Sequence, residues 1–182
     1  MAVTRVAYTA EGWGEGELWF DGPTLVWHEL PRPRPNTDSP HPGGARTRRP
    51  RQETVAAKPR RVGNGIAPKA RRIVHTLQRY FAGDRVEFGD IALALEDATP
   101  FQQAVARALR AVPYGSVVSY GDLARAAGYP NAQRAAGTFC AHNRFPLIVP
   151  CHRVVAANGL GPYGSLGADY KRRLLELEGV TL

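Results

Sequence analysis

Polar and apolar residues alternate over Val3-Thr-Arg-Val-Ala-Tyr8, and that period of two predicts a strand with one buried face. Glycines from Gly12 to Gly16 interrupt the run. A further strand is predicted over Glu17-Leu-Trp-Phe20, the Asp21-Gly22 pair makes a turn, and Thr24-Leu-Val-Trp-His28 forms the returning arm. These segments predict a small antiparallel sheet, with Trp13, Trp19 and Trp27 in its core or on its faces. The period then changes. Over residues 69–81, Ile73, Leu77 and Tyr80 or Phe81 share one helical face. Residues 91–95 are a candidate short strand. Thr99 is an N-cap, Pro100 stands at the first helical position and Gln102 completes a capping box, so a helix is predicted from there to Val112. Phe101, Val105, Leu109 and Val112 form its buried stripe, and Pro113-Tyr-Gly115 ends it.

Val117 and Val118 predict a brief extended stretch. Ser119 is expected to cap a second helix, with Asp122 in its first turn and Leu123, Ala126 and Ala127 facing inward. Gly128-Tyr-Pro130 stops it, and Asn131 is expected to cap a third helix over residues 132–142. Two short helices around a glycine-containing turn form a helix-turn-helix pattern, which serves either as a plain helix pair or as a nucleic-acid reader. Ala135, Ala136 and Gly137 would let the third helix approach another helix or a groove closely. The apolar run from Phe145 to Cys151 predicts a short buried strand. Residues 163–167 read as a loop, and a last helix over residues 169–178 packs through Leu174, Leu175 and Leu177 before Gly179 ends it. The predicted fold class is α/β, in the α+β sense: a small N-terminal β-sheet domain and a mainly helical C-terminal domain with a helix-turn-helix and a short active-site strand. Its divisions are expected at residues 1–30, 31–65, 66–95 and 96–182.

Charge alters this picture at one place. The chain of 182 residues carries a net charge of +8. Residues 31–72 hold twelve Lys or Arg against Asp38 and Glu53, a local +10, so the remainder is close to neutral. That stretch is rich in proline and glycine and reads as a flexible basic linker. It could attract phosphates, or it could be a solvated tether. Two cysteines, Cys140 and Cys151, form no disulfide framework and suggest a reducing, cytoplasmic setting, nucleoid-associated if the source is prokaryotic. The N-terminus lacks a signal-peptide core, and no run approaches a membrane span. The five histidines and two cysteines show no metal-ligand spacing, so no metal is expected.

Pro150-Cys-His-Arg-Val-Val155 is where chemistry concentrates. A thiolate is a nucleophile and a thiol is not, and an adjacent imidazole is a standard way to produce one near neutral pH. A buried structural cysteine is the plainer reading of the same residues.

This motif, with Asn143 and Gln133-Arg-Ala-Ala-Gly137 before it, resembles the O6-alkylguanine-DNA alkyltransferases, also called methylated-DNA–protein-cysteine methyltransferases. The resemblance covers about residues 85–180. It implies that Cys151 is the alkyl acceptor, that His152 draws its proton through a water, and that Glu178 orients the histidine. It makes Asn143 the hinge between recognition helix and active-site strand, though an ordinary helix C-cap would also suit an asparagine. It implies that Arg134 fills the gap left by a flipped-out nucleotide and that Tyr120 lies near the target base. Tyr129, Ala135 and Gly137 would face DNA, and Tyr163, Ser165 and Pro146 would line the alkyl pocket. The implied partner is double-stranded DNA carrying O6-alkylguanine, met by a monomer without a cofactor. Arg144-Phe145 follows Asn143 where proline commonly stands, and the loop at 161–167 is offset by one residue from common members.

Two other readings remain open on the residues alone: a lesion-binding protein without transfer activity, and a helix-turn-helix regulator. A cysteine hydrolase would need an oxyanion hole, which nothing in the sequence signals. Deleting residues 36–62 is expected to weaken DNA binding and to flatten the slope of log affinity against log salt. An unchanged affinity and slope would reduce the basic stretch to a tether.

Overall fold

The computed structural model describes residues 3–33 and 68–182. The linker expected at 31–65 begins two residues late, because Pro31 and Arg32 end the strand Thr24–Arg32; from residue 34 onward it lies outside the described residues, with most of the basic stretch. Three strands, β1 (Thr4–Ala10), β2 (Gly14–Asp21) and β3 (Thr24–Arg32), pair antiparallel in chain order. Alternation decides their faces. Val6, Tyr8 and Ala10 of β1 and Leu18 and Phe20 of β2 are buried on the inner side. On the outer side Trp19 stands opposite both Arg5 and Trp27, and the Arg5 guanidinium lies 4.7 Å from the Trp19 ring. Gly14 takes φ +107°, and a Cβ there would stand 2.0 Å from the Arg32 carbonyl oxygen, so the β1–β2 turn requires glycine.

Helix α1 (Pro68–Phe81) buries Ile73, Val74, Leu77, Tyr80 and Phe81 and packs on β1, where Gln78 donates to the Thr9 carbonyl at 3.2 Å. Trp13 joins the layers, with Phe81 at 5.1 Å and Tyr170 at 5.3 Å between ring centroids. The candidate strand at 91–95 is reduced to one parallel bridge between Leu25 and Leu93. Leu25 donates to the Ala92 carbonyl and accepts from Ala94, and no longer ladder extends these two bonds.

Helix α2 (Pro100–Arg110) has its full capping box, with Thr99 Oγ1 accepting from Gln102 N–H and the Gln102 side chain accepting from Thr99 N–H. Val105, Leu109 and Val112 of the expected stripe are buried, and Phe101 is half-buried. Strand β4 (Val118–Ser119) leads into α3 (Tyr120–Ala126), capped by Ser119 as expected. On α3, Ala124 faces inward with Leu123, while Ala126 is exposed. Helix α4 (Gln133–Ala141) departs from expectation at its start. Asn131 adopts φ +72° and Ala132 is the N-cap, with no side-chain bond. A cap residue is extended. Asn131 instead uses the tolerance of asparagine for left-handed backbone to turn the chain.

The run 145–151 is also different. It forms turns and a one-turn 3-10 helix (Cys151–Arg153), and only β5 (Val154–Val155) is a strand, parallel to β4. Pro146 and Pro150 lack N–H groups for a ladder. Helix α5 (Gly167–Leu177) closes the fold over the 3-10 turn. No helix among the described residues is long and apolar enough to cross a membrane.

The sheet is tied to the 144–146 segment by His28 of β3. Its backbone N–H donates to the Arg144 carbonyl at 2.9 Å. Its ring Nδ1–H donates to the Pro146 carbonyl at 2.7 Å, which leaves Nε2 to accept from the Tyr8 hydroxyl at 2.7 Å. Burial lowers the His28 pKa to about 4, against a smaller opposing effect of the Pro146 bond. Folding therefore favours neutral His28, and the stability it contributes is complete above pH 6.5 and is lost as the pH falls toward 4. The loss approaches about 3 kcal/mol. Urea unfolding between pH 7 and 4 should show a shallower decline for His28→Gln than for the parent.

Candidate active site

Cys151 is the first residue of the 3-10 turn and is buried. Three residues per turn send successive side chains about 120° apart. The turn therefore points the two side chains apart, and no hydrogen bond joins Cys151 directly to His152. The sulfur instead accepts from Asn143 Nδ2 at 3.1 Å, and the same amide donates to the Val149 carbonyl at 2.7 Å. Asn143 Oδ1 accepts from Phe145 N–H. Asn143 thus braces the whole 145–151 bend. It does not end α4 in left-handed geometry: His142 is the C-cap, and Asn143, the residue after it, does not take positive φ. Leu147 at φ +68° takes the left-handed backbone of this bend, where a non-glycine residue is strained.

Behind the sulfur lies a second, fully buried cluster. Glu178, the C-cap of α5, accepts from His152 Nε2–H at 2.8 Å, from the Tyr80 hydroxyl at 2.8 Å and from Arg153 through Nη2 and Nε at 2.9 Å each. Gly115 N–H donates to it at 3.1 Å. Gly115 has φ +76°, and a Cβ there would lie 3.0 Å from the Glu178 carbonyl oxygen. Arg153 Nη1 donates to the Val112 carbonyl at 2.7 Å. Burial pushes the Glu178 pKa up, but the hydrogen bonds and charges of His152 and Arg153 outweigh it and hold the carboxyl at about 2.

The Glu178 bond fixes the His152 tautomer. Nε2 carries the hydrogen, and the buried Nδ1, which has no protein partner, carries the lone pair. Burial lowers the His152 pKa, against the pull of Glu178, so the ring is neutral. Burial raises the Cys151 pKa, partly offset by Asn143, Tyr163 and Lys171. The resting pair is therefore thiol and imidazole, not thiolate and imidazolium. Lys171, completely buried, donates to the Val154 and Leu160 carbonyls at 2.6 Å each, and its charge favours the Cys151 thiolate.

The other expected residues separate into two groups. Tyr120, at the start of α3, is half-buried, and burial and the two cysteines raise its pKa, so its hydroxyl stays protonated. Tyr163 turns its buried hydroxyl toward the Cys151 sulfur, and its ring stacks on Tyr170. Pro146 is half-buried and held through its carbonyl by His28. Ser165 is exposed, and its hydroxyl accepts from Arg32 at 3.0 Å, not from the Cys151 cluster. On α4, Arg134 and Ala135 are exposed, Ala136 is buried, and Gly137 faces the Tyr120 ring, whose nearest carbons would lie 3.8 Å from a Cβ. Tyr129 is exposed, edge-on to Phe101 at 5.0 Å.

Residues 100–180 match the family described as 6-O-methylguanine DNA methyltransferase, DNA binding domain. A methylated-DNA–protein-cysteine methyltransferase of Methanopyrus kandleri is 43% identical over 122 residues, 64% of this chain and 90% of that protein. The chain belongs to the methylated-DNA–protein-cysteine methyltransferase family. A methyltransferase of Mycobacterium bovis is 50% identical over 106 residues, 58% of this chain and 62% of its own length. The crystal structure of Mycobacterium tuberculosis OGT in complex with DNA superposes with a TM-score of 0.69 at 34% identity, covering 96% of this chain and 92% of that one. The α+β fold is that of these methyltransferases.

Sequence reasoning passed over Tyr80, Arg153, Lys171 and the Gly115 amide. Arg153 lies inside the quoted motif and was visible there. Tyr80 was placed among core residues, and nothing local marks its hydroxyl as a partner of Glu178. Glu178→Gln would leave the Arg153 guanidinium buried without a counter-ion, and a loss of about 3–5 kcal/mol in urea unfolding is expected. Removing the exposed Arg5–Glu17 pair by Arg5→Ala should cost under about 1 kcal/mol.

Proposed function

We propose that this protein repairs DNA by transferring the methyl or other alkyl group of O6-alkylguanine to Cys151 in a single turnover. The observation that carries the reading is the Cys151 thiol held by Asn143, with His152 and Glu178 buried behind it. His152 Nδ1, buried with its lone pair unpaired among the described residues, would take the thiol proton, and a water would relay it, since no direct bond joins the two residues. The thiolate then attacks the alkyl carbon. A C–S bond forms, the C–O bond breaks, and its electron pair passes to guanine O6. Tyr120, kept protonated, would donate a proton to the departing guanine, and the proton taken up by His152 passes back through water to the Tyr120 oxygen, so the thiol proton is the one the guanine gains.

The reacting atom lies on a base-pairing edge, so the nucleotide has to leave the duplex. Unstacking costs a few kcal/mol, and Arg134, exposed on α4, would fill the gap. In this reading Ala135 and Tyr129 meet DNA from outside, and Gly137 acts by admitting the Tyr120 ring. Tyr163 and Pro146 border the alkyl group, while Ser165 stands at the loop's outer side. Residues 96–182 form the unit that handles DNA, and the segments before residue 96 brace it. A thioether offers no leaving group, so the product is final and no cofactor takes part. A lesion-binding protein without transfer activity would have no use for a nucleophile in this setting.

Incubation with duplex DNA carrying one O6-methylguanine, followed by intact mass and peptide mapping, tests this. One methyl on the peptide containing Cys151, none on Cys151→Ala and no second turnover are expected. Unmodified protein at the end of the incubation would overturn the reading.

A further inference from the structure

The geometry points to Tyr80 as a positioning residue for the alkyl transfer: its hydroxyl sets how strongly Glu178 holds His152. This rests on the alkyl-transfer reading above. Tyr80 comes from the last turn of α1, outside the 100–180 stretch that matches the family. It is completely buried, among Phe81, Phe88 and Tyr114 at ring-centroid distances of 5.4, 6.1 and 6.2 Å. An apolar ring would fill that space, so packing alone does not call for a hydroxyl.

The hydroxyl lies 2.8 Å from Glu178 Oε1 and 3.4 Å from His152 Nε2. Burial and the Glu178 charge keep it protonated, so it donates. Oε1 also accepts from His152 and Arg153, and Oε2 from Arg153 and Gly115. Five donors thus meet a carboxylate with about four lone-pair sites. They compete, and each one weakens the hold of the others. Three of the five sit on His152 and Arg153, neighbouring residues of one turn, and a fourth is backbone. Tyr80 is the donor supplied by the N-terminal half of the chain.

Removing the Tyr80 donor leaves more of the carboxylate charge for His152. A nearby anion stabilises imidazolium, so His152 becomes more basic. His152 must be neutral to accept the Cys151 proton, and the acid limb of the rate-versus-pH profile moves up with its pKa. The charged and titratable groups facing the pair are Glu178 and Lys171 of the C-terminal segment, Arg153, Cys151, Tyr114 and Tyr163, with Arg85 and Asp84 facing Tyr114. None of them changes in Tyr80→Phe.

The test compares Tyr80→Phe, Tyr170→Phe and the parent by single-turnover transfer from O6-methylguanine duplex across pH 5 to 9. NMR titration of the His152 ring reads the same quantity without any reaction. Tyr170 donates to the Pro31 carbonyl and so ties the same two halves of the chain without touching Glu178. The expected result for Tyr80→Phe is an acid limb and a His152 titration both raised by about half a unit or more, with duplex affinity unchanged and Tyr170→Phe like the parent. Coincident profiles, or an equal shift in Tyr170→Phe, would overturn the assignment. Should Tyr80→Phe fail to fold, 3-fluorotyrosine at position 80 alone, a more acidic donor, must move both readouts downward. A parent protein that transfers nothing refutes the alkyl-transfer reading, whereas a parent that transfers and a His152 titration that does not move refute only the role of Tyr80.

Discussion

A carboxylate buried as deeply as Glu178 is tolerable only if donors surround it, because an unpaired buried charge costs several kcal/mol. That requirement organises the fold. The donors come from the end of α1, the loop after α2 and the 3-10 turn, and the acceptor comes from the end of α5. Four chain segments distant in sequence must meet within hydrogen-bond reach before the charge is satisfied. The 3-10 turn is pinned by this demand through His152 and Arg153, and Cys151, the residue before them, is placed as a consequence.

The same arrangement decides the resting chemistry. Burial drives Cys151 and His152 toward their neutral forms from opposite directions, the thiol up and the imidazole down. A thiol kept neutral is a poor nucleophile toward stray electrophiles. Asn143, Lys171 and Tyr163 favour the thiolate once a base is in place, and Glu178 favours the imidazolium. The site holds stabilisation for the charged pair in reserve while burial opposes it.

The N-terminal sheet and α1 take part in this. His28 holds the 144–146 segment through two bonds, and Tyr80 reaches the carboxylate itself. Arg144 adds a bond from its guanidinium to the Ala94 carbonyl at 2.6 Å. The bend that carries the cysteine is therefore splinted from outside the DNA-binding domain.

Features governed by neighbours in sequence were legible from the sequence. The capping box of α2, the Ser119 cap and the alternation in β1 read correctly, because caps and pleats are local signals. The Pro150-Cys-His-Arg motif and its expected partners meet in the fold, Asn143 on the Cys151 sulfur and Glu178 on the His152 ring. Asn131 misled because the same side chain suits a cap and a left-handed turn, and only the path between α3 and α4 chooses. Residues 145–151 misled because an apolar run does not state its backbone path, and the ladder it lacks depends on what lies beside it. The sequence by itself determined the locally specified caps, the alternation of the sheet and the family motif. The tertiary structure decided that Tyr80, Arg153 and a backbone amide share the carboxylate of Glu178, and that the cysteine rests as a thiol. Burial and hydrogen-bond geometry exist only once distant segments have packed.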